Sequence, residues 1–528
     1  MVRGRRAIDP CAARQRTRSL PRTGTVTVLS LALRPISLQS DPRRPRDRRS
    51  CSLALCLLLL PALTGCDAFL GDWRLDASSA GSSSTGAGGS GGADGAGGGQ
   101  TAAPLPAWCR FYGTPAEEVI YDVRLAKSGE GLLVAGQFAG ELPLDPTIVP
   151  SGSTDGFLAR FDFAGEPTLV SPLGASEYGV LAAAVAVEPD GLLGFGSFVG
   201  AAGRFGSDAS GNSDVIVADF TGGPLLAAGS VATDGVSDAD AAGDLLVFTG
   251  EAEAGMDFGT GPLSSGGYVA FMDRTSATVN AAVALGAGSS PGLGHMARFD
   301  AHGDVWVSAV LGGPGITDVV CGGRPLVTEV PGQSALFQLA PDGSCKRGRV
   351  LPTSLRGDID MALVDGLRPL LSGRFLGELT VDDFHATSSG TETDAFVLVF
   401  DEEGQATQLT AYGGLGAEKP DEVVVSPSGF VFVVGEFAGQ LTIGNVHAGS
   451  VDGEEDMFVL KLSPSGDPIW LRALGGAGRQ TATGLALDAQ GDLFVGGYAE
   501  GSLACASPAP QSSGGNDFYL MRFDGETL

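Results

Sequence analysis

One segment pattern is written along this chain again and again, at a spacing of about sixty residues. Seven turn glycines mark the copies: Gly131, Gly191, Gly243, Gly303, Gly366, Gly429 and Gly491, with a mean step of 60 residues. Self-similarity at a fixed period is the mark of a repeat architecture and constrains the fold before any local motif does. The sixth copy is the cleanest. Val423-Val424-Val425 leads through Ser426-Pro427-Ser428-Gly429 into Phe430-Val431-Phe432-Val433-Val434-Gly435, and after Glu436-Phe437-Ala438-Gly439 comes a variable loop of about fifteen residues. Met457–Leu462, the turn Ser463-Pro464-Ser465-Gly466 and Ile469–Leu474 complete it. Short runs rich in Val, Phe and Leu between Pro, Gly, Ser and Asp read as strands and hairpin turns. No stretch sustains a helical period, so each copy predicts two hairpins.

Other positions repeat with it. Gly-x-Phe-x-Gly follows the second strand at Gly136/Phe138/Gly140, Gly196/Phe198/Gly200, Gly373/Phe375/Gly377 and Gly435/Phe437/Gly439. An aspartate opens the third strand at Asp155, Asp214, Asp394, Asp456 and Asp517; copies three and four lack it and show Tyr268 and Ser334 nearby. The last copy stops after its third strand, and its missing fourth strand matches Trp108-Cys109-Arg110-Phe111-Tyr112-Gly113, which aligns with Trp470–Gly475. The expected fold is therefore all-β: a seven-bladed β-propeller of four-stranded blades, spanning 108–528, whose N-terminal strand completes the last blade and removes both sheet edges. A ring of this kind escapes the size limit of one shared core, because each blade packs only on its neighbours.

Through "GDLFVGGYAEG", "NDFYLMRFDG" and "SPSGDPIWLRALGG" the repeat resembles the bacterial β-propeller repeat family of SBBP type, found in extracytoplasmic proteins. The resemblance spans roughly 108 to 528; it implies a propeller and an extracytoplasmic setting, and no particular activity.

The N-terminal part reads differently. Arg43-Arg44-Pro45-Arg46-Asp47-Arg48-Arg49 precedes the apolar run Cys51–Leu63, which is too short for a bilayer of ~30 Å. A basic stretch, a short apolar core and small residues behind it form a secretory signal. Leu63-Thr64-Gly65-Cys66 is similar to the bacterial lipobox, in which Cys66 becomes a lipidated N-terminus. Residues 1–65 form this leader, and the stretch before residue 43 exceeds what a signal needs, so the expected translation start lies downstream of Met1. From 66 to 107 the chain is rich in Gly, Ser and Ala, as in Ser78–Gly99, and predicts a flexible tether with a root-mean-square span of ~35 Å.

Charge narrows the function. The chain carries a net charge of −28, the leader alone carries +10, and the remainder is at −38. Such a surface repels phosphate backbones and excludes nucleic-acid binding. His295, His302, His385 and His447 fall in different copies without metal-ligand spacing and read as surface or turn residues. Gly88-Ser90-Gly92 lies in the tether and Gly288-Ser290-Gly292 in a loop, neither in the strand–turn–helix setting of a nucleophile elbow. The repeated aspartates, and the denser group Asp238, Asp240 and Asp244, could offer oxygen ligands to calcium. An Asp ahead of a strand more commonly accepts backbone N–H bonds from its turn, and recurrence in five copies favours that structural role. Phe138, Phe198, Phe375, Phe437 and Tyr498 read as packing between blades.

Four cysteines remain in the ring. Cys321 and Cys505 occupy matching loop positions in copies four and seven, while Cys345 and Cys109 lie in the fourth strands of those two blades. One shared geometry selects the pairs Cys321–Cys345 and Cys109–Cys505, in an exported chain where disulfides persist. The sequence thus predicts a monomeric lipoprotein of the bacterial cell envelope, periplasmic or on the outer surface. Its propeller would bind or scaffold a protein or glycan partner, with no catalytic residues, metal or cofactor evident. The competing readings are a lyase or hydrolase with its site in the central channel, for which no cluster of His, Lys, Arg and carboxylates is apparent, and a purely structural surface protein.

Overall fold

The computed structural model of this chain describes residues 103–528, apart from 127–130, 188–190, 203–206, 210–211, 222, 254, 286–291 and 452–454. Cys66, the leader and most of the tether lie outside the described residues. No helix occurs among the described residues. They form five four-stranded sheets and two six-stranded ones, besides two separate two-stranded hairpins. Each larger sheet contains the antiparallel meander of four strands that one repeat predicts, as in Glu418–Val425, Val431–Phe437, Asp456–Leu462 and Pro468–Leu474. The first strand of each meander is innermost. These are Glu118–Leu125, Tyr178–Val187, Gly235–Ala242, Leu293–Phe299, Leu355–Val364, Glu418–Val425 and Gln480–Leu487. Each touches the next, and Gln480–Leu487 returns to Glu118–Leu125, so the sheets close into a propeller ring.

The apolar residues fill the gaps between sheets. Val397, Val399 and Tyr412 pack on Val433, Phe437 and Phe458 of the following sheet. At the closing junction Ile120, Phe138 and Phe157 meet Phe494, Phe518 and Leu520. Full burial of each such side chain contributes about 1.5–3 kcal/mol. Phe138, Phe198, Phe375, Phe437 and Tyr498 all belong to this buried set.

Ring closure follows the register of the N-terminal strand. Trp108–Tyr112 pairs antiparallel with Asp517–Phe523, from Trp108 opposite Arg522 to Tyr112 opposite Phe518, and forms the outer edge of the last sheet. Both expected disulfides are present: Cys109–Cys505 with Cα atoms 6.0 Å apart, and Cys321–Cys345 at 4.7 Å.

The loops after the second strands depart from expectation. Read as irregular, several hold short hairpins: Gly315–Cys321 with Arg324–Thr328, Glu378–Val381 with Phe384–Thr387, and Gln440–Ile443 with Val446–Gly449. The last of these extends the outer strand of the preceding sheet, pairing Thr442 with Gly413 and Leu441 with Gly414. That strand would otherwise leave an open edge.

Candidate functional site: the axial channel

The repeated aspartates are explained by their own loops. Asp155 accepts hydrogen bonds from Ser151 N, Gly174 N and Ala175 N at 3.0–3.2 Å. Asp394 accepts from Ser389 N at 2.9 Å, Asp456 from Val451 N at 2.5 Å, and Asp517 from Ser513 N at 2.8 Å. A glycine makes room for each carboxylate: a Cβ at Gly229, Gly413, Gly475 or Gly113 would stand 2.2–2.3 Å from Asp214, Asp394, Asp456 or Asp517 respectively. Where the third strand opens with Gln333 instead, the glycine is replaced by Pro352. Gln333 still accepts from Glu329 N at 2.7 Å, and it donates to Leu351 O at 2.7 Å. In copy three the strand begins at Gly266, and Asp234, just ahead of the inner strand Gly235–Ala242, binds the loop instead, accepting from Glu253 N at 2.7 Å. Among the described residues no three His, Cys, Asp or Glu side chains converge as a metal site.

A second repeated feature lies at the axis. The register of every inner strand slips at the same place, for example at Ile120/Asp122, Val236/Asp238, Gly294/Met296 and Pro420/Glu422. The cause is visible in the partner strand. A Cβ at Gly136, Gly196, Gly250, Gly435 or Gly497 would lie 1.9–2.2 Å from an inner-strand carbonyl oxygen, so the backbones approach as only glycine allows. In six of the seven inner strands the bulge inserts one residue and re-aims its side chain, while Leu355–Val364 gains two between Arg356 and Ile359. Tyr121, Ala182, Ser237, His295, Asp421 and Thr483 are these inserted residues, and all line one axial chamber of about 180 Å³.

His295 is thereby corrected: it is 8% exposed, in a buried bulge facing the channel rather than on the surface. His302, His385 and His447 are exposed, as expected. The grouping of Asp238, Asp240 and Asp244 does not hold either. Asp238 and Asp240 turn inward, whereas Asp244 is exposed, because the strand ends at Ala242 and Asp244 lies in the hairpin turn beyond it.

Beside the bulges runs a belt of charge. Asp122, Asp238, Asp360 and Glu422 occupy matching positions in four inner strands, with Arg124, Asp240 and Arg298 close by. The carboxylates stitch one sheet to the next. Asp122 accepts from Ala184 N at 2.9 Å, Asp238 from Ala297 N at 2.9 Å, Asp360 from Val423 N at 2.5 Å and Asp240 from Phe299 N at 2.9 Å. Hydroxyls act likewise elsewhere: Thr483 Oγ1 donates to Ile120 O at 2.7 Å and Ser308 Oγ to Ile359 O at 3.0 Å. Arg124 pairs with Asp122 at 2.8 Å and Asp238 at 2.5 Å, and Arg298 also pairs with Asp238. Burial opposes the charge on Asp238, yet the two guanidiniums outweigh it and hold its carboxyl below the ordinary range. Among the described residues, neither Asp360 nor Glu422 makes an ion pair. Burial pushes both upward, and the negative charge of Asp360 adds to the rise at Glu422.

Sequence reasoning missed this site. With Arg374, Lys419 and Asp421 at the same chamber, it is the cluster of His, Lys, Arg and carboxylates that the sequence had not disclosed. Lys419 is paired with Asp421 at 3.0 Å.

No protein-family model and no curated protein matches the chain. Among solved structures it is similar to hydrazine synthase of Kuenenia stuttgartiensis, at 10% identity and a TM-score of 0.41 over 72% of this chain and 92% of that one. The Pan2 WD40 domain of Neurospora crassa gives 11% and 0.40 over 76% and 88%. The β-propeller domain of the trilobed protease from Pyrococcus furiosus gives 10% and 0.38 over 79% and 96%. The assignment as a propeller rests on the closed ring of sheets.

Proposed function

We propose that this chain is an envelope-anchored lipoprotein whose ring, counted as seven blades, serves as a binding or scaffolding module. The observation that carries this reading is the axial chamber, to which inserted residues from separate inner strands are directed by a repeated bulge. A ring whose sheets are already stitched by Asp122, Asp238 and Asp360 supplies a preformed concave site, as ligand sites commonly are. The lipobox ending at Cys66 and the tether of 66–107 support anchoring. The test is capture from an envelope extract on the immobilised protein, with binding of the recovered component measured by calorimetry. A saturable complex is expected. Neither capture nor any ligand-dependent rise in melting temperature would count for a purely structural protein.

A second reading, a lyase or hydrolase, is favoured by His295, Lys419 and Arg374 meeting carboxylates at one chamber. Turnover of a recovered ligand by the wild type, lost in His295→Gln, would select it.

A further inference from the structure

The belt is short of positive charge. Asp238 takes both guanidiniums, Arg124 is shared with Asp122, and neither Asp360 nor Glu422 has an ion-pair partner among the described residues. Asp360 is 6% exposed and lines the chamber. Its Oδ2 takes the Val423 N–H, while Oδ1 meets no donor with hydrogen-bond geometry. A buried carboxylate oxygen left without a donor costs more than most such groups, and the Asp360 side chain borders a space large enough for a ligand of about ten heavy atoms or fewer. The space is not shaped for a chelated metal, since no three metal-ligating side chains converge among the described residues. It does offer what an organic cation needs. Ser237 and Thr483 provide hydroxyls, Tyr121 an aromatic ring, and Met296, Ile359 and Pro420 an apolar wall.

We propose that this chamber binds a small primary ammonium compound, with its NH3+ group against Asp360 and Glu422 and a short methylene segment along Tyr121, Met296 and Ile359. The inference rests on the binding reading and names its ligand class.

Calorimetry on the full chain tests it with three probes of similar length: butylammonium, 4-aminobutyrate and butan-1-ol. Saturable binding of the two amines and none of the alcohol is expected. Asp360→Asn keeps the acceptor for Val423 N–H and should weaken amine binding at least tenfold. Tyr121→Trp fills the chamber from another strand without touching the belt charges and should abolish binding, so the test stands even where one variant fails to fold. Equal binding of butan-1-ol, amine binding indifferent to both substitutions, or no saturation by either amine at millimolar concentration overturns the proposal. An envelope component captured without amine binding would overturn the channel site alone and leave the broader binding reading intact.

Discussion

Asp394 and Glu418 face one another across the junction of two neighbouring sheets, and the pair makes the ring sensitive to pH. Burial first, and then the charge on Asp394, push Glu418 up to about 8 from an ordinary 4.5, against a smaller pull from the Gly414 N–H. A folded-state value above the unfolded one means that the contribution to stability is full below about 4.5 and is lost as pH rises through about 8. The melting temperature should therefore fall between about pH 5 and pH 9, and Glu418→Gln should flatten that slope; an unchanged slope would show that Glu418 is not the group responsible. Gly435 is critical for a different reason. Its Cβ would stand 2.2 Å from Lys419 O, so Gly435→Ala should cost about 3 kcal/mol in denaturant unfolding. Gly390→Ala, whose nearest neighbour would be 3.9 Å away, should cost less than about 0.5 kcal/mol. Equal costs would refute the close approach. Glycines and aspartates of this kind were legible because every copy needs them in the same place. Asp122, Asp360 and Glu422 were not, because the inserted bulge residue breaks the alternation that tells an inward side chain from an outward one.

The strands themselves were legible down to the borrowed one, since Trp108–Tyr112 carries the pattern of Trp470–Leu474. The loop hairpins were not. In two of the three the strands have four residues each, around the two-residue turns Asp382-Asp383 and Gly444-Asn445. Gly444-Asn445 is a hairpin signal, but the runs beside both turns are too short to stand out from a polar loop. The closing strand carries the clearest prediction at this scale. Deleting Trp108–Gly113 removes the partner of Asp517–Phe523 and leaves its edge open, so lower thermal stability and concentration-dependent light scattering are expected. The double substitution Cys109→Ala and Cys505→Ala keeps the strand and loses only the covalent link, which closes 396 residues of sequence and is worth at most about 6 kcal/mol. A deletion variant as stable and as dispersed as the wild type would rule out the closing role.

For the whole molecule, the repeat period announced a ring, while the charged axis emerged only when separate copies were brought together, since no single repeat contains it. The proposed anchoring turns on one residue. On the proposed lipobox, Cys66→Ser should abolish acylation and move the protein from the membrane to the soluble fraction, because the apolar run Cys51–Leu63 alone would not anchor a cleaved chain. Membrane fractionation of an unacylated Cys66→Ser chain would refute the lipobox. The borrowed strand then has a mechanical meaning. It is the outermost strand of its sheet, and the chain toward the proposed anchor leads into its start. Any tension on that chain is borne first by the hydrogen bonds of Arg472 to Ala103 O and Pro104 O and of Ala107 N–H to Arg522 O, then by the pairing of Trp108 with Arg522, and at Cys109 by a covalent bond into the loop at Cys505. The edge strand cannot be peeled from its neighbour one hydrogen bond at a time, so a pull on the tether loads the last blade as a unit.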